Sequence, residues 1–207
     1  MAEITAITPQ KKDKTRCNIE VDGRFFCGMK LETVMQNRLK AGMTIEADEL
    51  SRMQLESEKL TALDKALTHI SVSMKTEREI RTFLKRKGYL QDVSDYVVEK
   101  MKGYGYVNDE AYSSAYAESA AKRKGSRLIR CELRNKGVDE QAIDTALSCL
   151  GDETESAKRC LEKYMRGKSA DRETLQKAYR NLLSKGFDYD TAKAALESLK
   201  DDEDRDS

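Results

Sequence analysis

The sequence predicts a mainly α protein, an extended array of three tandem three-helix repeats behind a short N-terminal β-hairpin segment. Three observations predict it. Lys87-Gly88-Tyr89, Lys136-Gly137-Val138 and Lys185-Gly186-Phe187 recur at a constant interval of 49 residues. From about residue 55 onward the apolar spacing is helical, and the single proline, Pro9, lies far upstream of it. Before that point Asp22-Gly23 joins two short β-favouring runs, and this pair accepts the positive φ of a two-residue hairpin turn.

The N-terminal segment, residues 1–52, is expected to hold that hairpin, a third strand over Glu3–Thr8, and a short helix over 31–41 stopped at Gly42. With Val21 opposite Arg24, strand alternation puts Cys17, Ile19, Val21 and Phe26 on one face. Phe25 and Cys27 then share the other with Asn18 and Glu20, which argues against a Cys17–Cys27 disulfide. The repeats are expected over 53–103, 104–150 and 151–200, each opened by a helix (56–69, 109–123 and 153–166). The acidic run from Asp201 is expected to be a disordered tail through Ser207.

Physical roles can be assigned to the repeated columns. Ile80/Leu84, Ile129/Leu133 and Ala178/Leu182 each lie four apart, on one helix face. Gly88, Gly137 and Gly186 sit where a helix ends in the left-handed region, with the next apolar residue folding back on the last turn. Asp139 and Asp188 fall at the N-cap of the following helix; in the first repeat Leu90 takes that column and Asp92 is the expected cap. Asn108 and Asp109 are suited to cap the helix that opens the second repeat.

Composition excludes several function classes. Charged residues make up 36% of the chain, against ~25% in an average globular protein. No stretch approaches the ~20 apolar residues of a membrane helix, and the N-terminal residues lack the apolar core expected of a signal peptide. Five cysteines without a C-x-x-C spacing and a single histidine give no metal-ligand set, and fit a reducing, cytoplasmic setting. Phosphate loops and nucleophile motifs are absent, so neither a cofactor nor an enzymatic activity is expected.

Charge is clustered although the total is only +1. Lys122, Arg123, Lys124, Arg127, Arg130, Arg134 and Lys136 crowd one stretch against Glu132 alone, and the following 19 residues hold six acids and no Lys or Arg. Arg127, Arg130 and Arg134 share a helix face, matched in the first repeat by Arg78, Arg81 and Lys85 and faded to Gln176, Tyr179 and Leu183 in the third. Such a face is either a solvated surface or a binding surface for phosphates or an acidic protein. The near-zero total charge argues against indiscriminate duplex binding, which needs many phosphate contacts. Tyr112 and Tyr116, at i and i+4, read as core, and Cys131, Cys149 and Cys160 as small apolar helix residues.

Residues 105–138, GYVNDEAYSSAYAESAAKRKGSRLIRCELRNKGV, resemble the signature of the RecX family of bacterial recombinase regulators. The match rests on Gly105, Tyr106, Val107, Asp109, Gly125, Ile129, Leu133, Lys136 and Gly137, with Asn108 in place of the usual first Asp. The resemblance implies a negative regulator that binds the RecA filament on single-stranded DNA, lies in its groove, and inhibits ATP hydrolysis and strand exchange. Arg78, Arg81, Lys122, Arg123, Lys124, Arg127, Arg130 and Arg134 are then the candidate partner-binding residues of an expected monomer, with weak direct DNA contact. A regulator acting directly on DNA and a helical-repeat scaffold for acidic partners stay open as alternatives.

Overall fold

The N-terminal strands β1 (Ala2–Pro9), β2 (Arg16–Val21) and β3 (Arg24–Lys30) are joined by a short β4 (Thr44–Ile45) into one antiparallel sheet, ordered β3-β2-β1-β4. The computed structural model describes residues 1–205, with side chains through residue 199. Val21 pairs with Arg24 as the turn requires, but the register slips between Ile19 and Glu20, so that Glu20 opposes Phe25 and Ile19 opposes Cys27. Phe26 is the extra residue of this bulge, and one extra residue flips every later side chain to the other face. The face assignment from strict alternation is therefore corrected: Cys17 and Cys27 lie on the same side, both buried with Ile19 and Met29.

The helix after β3, α1, runs only from Leu31 to Gln36, not to residue 41. Arg38 takes the left-handed conformation at φ 51°, and Leu39 donates back to the Val34 carbonyl at 3.0 Å, tucking its side chain into the core. Helix α2 (Ala47–Ile70) begins nine residues before the expected start at 56, with Asp48 and Glu49 in its positive first turn. It lies against the sheet: Leu50 joins the sheet core, Ser57 Oγ accepts the Lys30 N–H at 2.6 Å, and Arg16 donates to Thr61 at 2.8 Å. A boundary at residue 52 therefore falls inside a helix.

Among the described residues, eight further helices follow: α3 (Glu77–Arg86), α4 (Gln91–Gly103), α5 (Asp109–Ala121), α6 (Ser126–Asn135), α7 (Glu140–Ser148), α8 (Thr154–Met165), α9 (Arg172–Ser184) and α10 (Tyr189–Arg205). The chain divides into two compact units. One holds residues 1–74 and 80–106; the other holds 75–79 and 107–207. In each repeat the first and third helices pack together, α2 with α4, α5 with α7 and α8 with α10. The anticipated apolar columns are buried: Ile80 and Leu84, Ile129 and Leu133, Ala178 and Leu182. Helix α10 continues through Arg205 where a disordered tail was expected; residues 206–207 lie outside the described residues.

The three Lys-Gly turns are alike. Gly88, Gly137 and Gly186 have φ of 85°, 83° and 88°, and Tyr89, Val138 and Phe187 each donate to the carbonyl five residues back. This is the double-bonded helix ending that favours glycine. Asp139 and Asp188 cap α7 and α10 by accepting the Ala142 and Thr191 N–H groups at 3.0 and 2.7 Å. Two expected caps are corrected. Leu90, not Asp92, is the N-cap of α4 and offers no side-chain bond, Asp92 lying in the first turn. Asn108 caps α5 through the Ala111 N–H, while Asp109 accepts the Glu77 N–H at 2.9 Å and so caps α3.

Candidate functional site

Within the second unit, the first turns of α3 and α6 each rest on a Lys-Gly turn of the next repeat. Thr76-Glu77-Arg78-Glu79 is a capping box, Thr76 Oγ1 accepting the Glu79 N–H and Glu79 Oε2 accepting the Thr76 N–H. The Thr76 hydroxyl also donates to the Lys136 carbonyl at 2.7 Å. One interval further on, Gly125 donates to the Lys185 carbonyl at 3.0 Å, and Glu153 takes the Ser126 N–H at 2.8 Å as Asp109 takes that of Glu77. The glycines permit close approach as well as a left-handed turn. A Cβ on Gly186 would overlap the Leu128 backbone, and one on Gly137 would overlap the Arg78 side-chain stem.

Lys136 locks the first of these junctions. Its Nζ bonds Glu79 at 2.8 Å and lies 5.5 and 5.8 Å from the ring centroids of Tyr112 and Tyr116, which stack on each other. The Glu79 hydrogen bond holds the Lys136 ammonium well above the ordinary lysine range. For Glu79, burial works to raise the carboxyl, but the Lys136 and Thr76 hydrogen bonds outweigh it and the net shift is downward.

The expected basic face of α6 is not an open one. Arg130 pairs with both Glu140 and Asp144, and Arg134 with Glu140 at 2.9 Å, so acids of α7 neutralise the two arginines. Arg127 lies 5.9 Å from the ring centroid of Tyr189. In the first unit Arg81 is paired with Asp95 at 2.5 Å. Arg78, with its stem against Gly137, is part of the α3 junction.

Lys122, Arg123 and Lys124 belong to a different surface. Two adjoining grooves of about 420 and 380 Å³ share Arg123 and Lys185. Lys122, Arg159, Cys160, Lys163, Tyr164 and Asn181 complete the larger; Tyr116, Lys124 and Leu128 are among the walls of the smaller. Among the described residues, no carboxylate lines either groove. Lys124 is held by Glu132 at 2.5 and 2.7 Å, and Tyr116 donates to the same carboxylate at 2.7 Å. Burial and its bond to Glu132 together raise the Tyr116 phenol, and the separate Lys124–Glu132 bond raises the Lys124 ammonium. Among the described residues, Lys122, Arg123, Arg159, Lys163 and Lys185 lie in no ion pair.

Sequence reasoning missed Arg159, Lys163 and Lys185. The i, i+4 spacing of the first two on α8 was a usable signal, but nothing in the sequence joins them to residues 122–124. Among the described residues, no group of three or more His, Cys, Asp or Glu could hold a metal ion, and no helix is long and apolar enough to cross a membrane. Cys131 and Cys149 are exposed, against the expectation of apolar helix positions, whereas Cys160 is buried.

A small antiparallel sheet followed by three three-helix repeats, linked through glycine turns and bearing a cation-lined groove, defines a class of helical-repeat protein. Four RecX family descriptions match in order: the N-terminal domain over residues 2–46, then the first, second and third three-helix domains over 62–101, 108–147 and 151–196. The chain is 31% identical to "Regulatory protein RecX" of Clostridium perfringens (strain 13), covering 98% of this chain and 99% of that one. It is 30% identical to the protein of that name from Bacillus subtilis (strain 168), covering 100% and 81%. A solved structure titled "Crystal structure of regulatory protein RecX" superposes with a TM-score of 0.70 at 27% identity, over 95% of this chain and all of the other. The chain belongs to the RecX family.

Proposed function

We propose that the protein is a negative regulator of homologous recombination that binds the RecA nucleoprotein filament and inhibits its ATP hydrolysis and strand exchange. The observation that carries this reading is the ordered match of all four RecX domains along one chain. Two compact units on one chain also suit a periodic target. Each unit can touch a different subunit, and the second contact is then made at a high effective concentration. Filament is accordingly bound in preference to free recombinase, as a cytoplasmic monomer. Occupancy of the filament hinders the subunit motion that accompanies ATP turnover and obstructs the incoming DNA.

Co-sedimentation tests this reading. The protein pellets with recombinase assembled on single-stranded DNA with ATP, and stays in solution with recombinase alone. Equal partition in both samples would contradict it. A direct DNA-binding regulator is the second reading, favoured by the unpaired cations of the groove in the second unit.

A further inference from the structure

We propose that the groove between α5, α8 and the α9–α10 turn is a binding site for the phosphodiester backbone of single-stranded nucleic acid. This deepens the reading above by naming the surface that takes the strand. Five cations converge there from three separate elements: Lys122 and Arg123 at the end of α5, Arg159 and Lys163 on α8, and Lys185 in the Lys-Gly turn. Elsewhere on the unit Arg130 and Arg134 of α6 are paired to acids, yet these five are in no ion pair among the described residues, although the protein as a whole is nearly neutral. Leaving like charges together without counter-ions costs stability through mutual repulsion, and a polyanion relieves it.

The chemistry of the lining favours phosphate over an acidic peptide surface or a small anion. Arg123 and Arg159 offer forked guanidinium donors, and Lys122, Lys163 and Lys185 offer point charges lining the same groove. A flexible single strand can follow such a concave path, whereas a duplex, with a persistence length of ~50 nm, meets only its rim. Tyr164 does not serve as a base platform, because the Lys168 ammonium sits 3.4 Å from its ring centroid. Contacts to phosphate carry no sequence information, so the binding is independent of base sequence.

The test is fluorescence anisotropy of a labelled oligothymidylate with the full-length protein and no recombinase, between about 50 and about 200 mM salt. Arg159→Gln/Lys163→Gln is compared with Arg130→Gln/Arg134→Gln, which removes the same charge from paired positions. The groove variant should bind at least about tenfold more weakly, with a shallower salt slope, since each lost phosphate contact removes roughly 0.7 from the slope. The α6 variant should bind within about twofold of the native protein, and thermal melting of both variants verifies that they fold. Equal weakening by the two variants would overturn the proposal, as would duplex binding as tight as single-strand binding. If the native protein binds no DNA yet still pellets with the filament, the groove faces protein and this inference fails while the functional reading stands. Loss of filament binding with DNA binding intact would sink the functional reading alone.

Discussion

The Asp109 carboxylate, in the first turn of α5, accepts the backbone N–H of Glu77 at 2.9 Å and so caps the start of α3. Glu153, beside the start of α8, does the same for Ser126 at the start of α6. Ser126 stands one repeat interval after Glu77, so an acid at the opening of each later repeat satisfies an orphan N–H of the helix before it. Such bonds tie neighbouring repeats together without adding core.

Replacing Asp109 by Ala should cost about 1 kcal/mol, the usual cost of a lost cap, while Asn, still an acceptor, should cost less. Chemical denaturation with an unchanged m-value checks this. Equal losses for Ala and Asn would mean that the carboxylate charge, and not the bond to Glu77, is what matters.

The three turn glycines should respond unequally to alanine. Gly88 has open space where a Cβ would go, so only the left-handed backbone is penalised, at about 1–2 kcal/mol. At Gly137 the new methyl meets Arg78 from Cβ to Cδ, of which only the outer stem can turn aside, whereas at Gly186 it meets the Leu128 backbone, adding roughly 1–3 kcal/mol of overpacking. The expected order of damage is Gly186→Ala, then Gly137→Ala, then Gly88→Ala. Three equal shifts in melting temperature would show that the close approach carries no weight.

Much of this fold was legible in the chain because its signals are local. A glycine at φ near 85°, an aspartate at an N-cap and an i, i+4 apolar pair announce themselves within a few residues. The errors arose where a partner lies far away or a register slips. The bulge at Phe26 moved Cys27 to the buried face, and no residue type marks it. Arg130 and Arg134 look free on a helical wheel, but their counter-ions Glu140 and Asp144 arrive from α7. Arg159, Lys163 and Lys185 are not legible as partners of Lys122 and Arg123, because only tertiary packing gathers them. The capping box at Thr76 was readable and was overlooked.

The Glu79–Lys136 pair should contribute to the acid limb of stability. A carboxylate held below its ordinary value of 4.5 stabilises the fold above that pH, and the contribution is lost as pH falls through the lowered value. The raised Lys136 works in the opposite sense, losing its contribution only as pH rises above the ordinary lysine value of 10.5. Glu79→Gln should therefore lower the melting temperature at pH 7 and flatten its fall between about pH 5 and pH 3. An unchanged acid limb would contradict the pairing.

Thiol reactivity should divide the five cysteines. Cys131 and Cys149 are exposed and should react rapidly with a disulfide reagent, whereas Cys17, Cys27 and Cys160 should wait for unfolding. Burial pushes the Cys27 thiol up to about 11, so it should be among the slowest at pH 8. Fewer than five thiols after denaturation in the absence of reductant would reveal a disulfide.

Removing the third repeat should damage the second. A chain ending near Gly151 loses the Glu153 cap on Ser126 and the Lys185 carbonyl that accepts the Gly125 N–H. Its thermal transition should fall or broaden, and hydrogen exchange should quicken at the start of α6. Native-like protection there would mean that the second repeat stands alone.

If this RecX-family chain restrains the recombinase filament as proposed, ATP turnover by the filament should respond to it. DNA-dependent ATP hydrolysis by recombinase preassembled on single-stranded DNA is followed as the full-length protein is titrated in. Hydrolysis should fall progressively and saturate, with Arg159→Gln/Lys163→Gln displacing the curve to higher protein concentration. Undiminished hydrolysis at concentrations where the protein pellets with the filament would contradict the account.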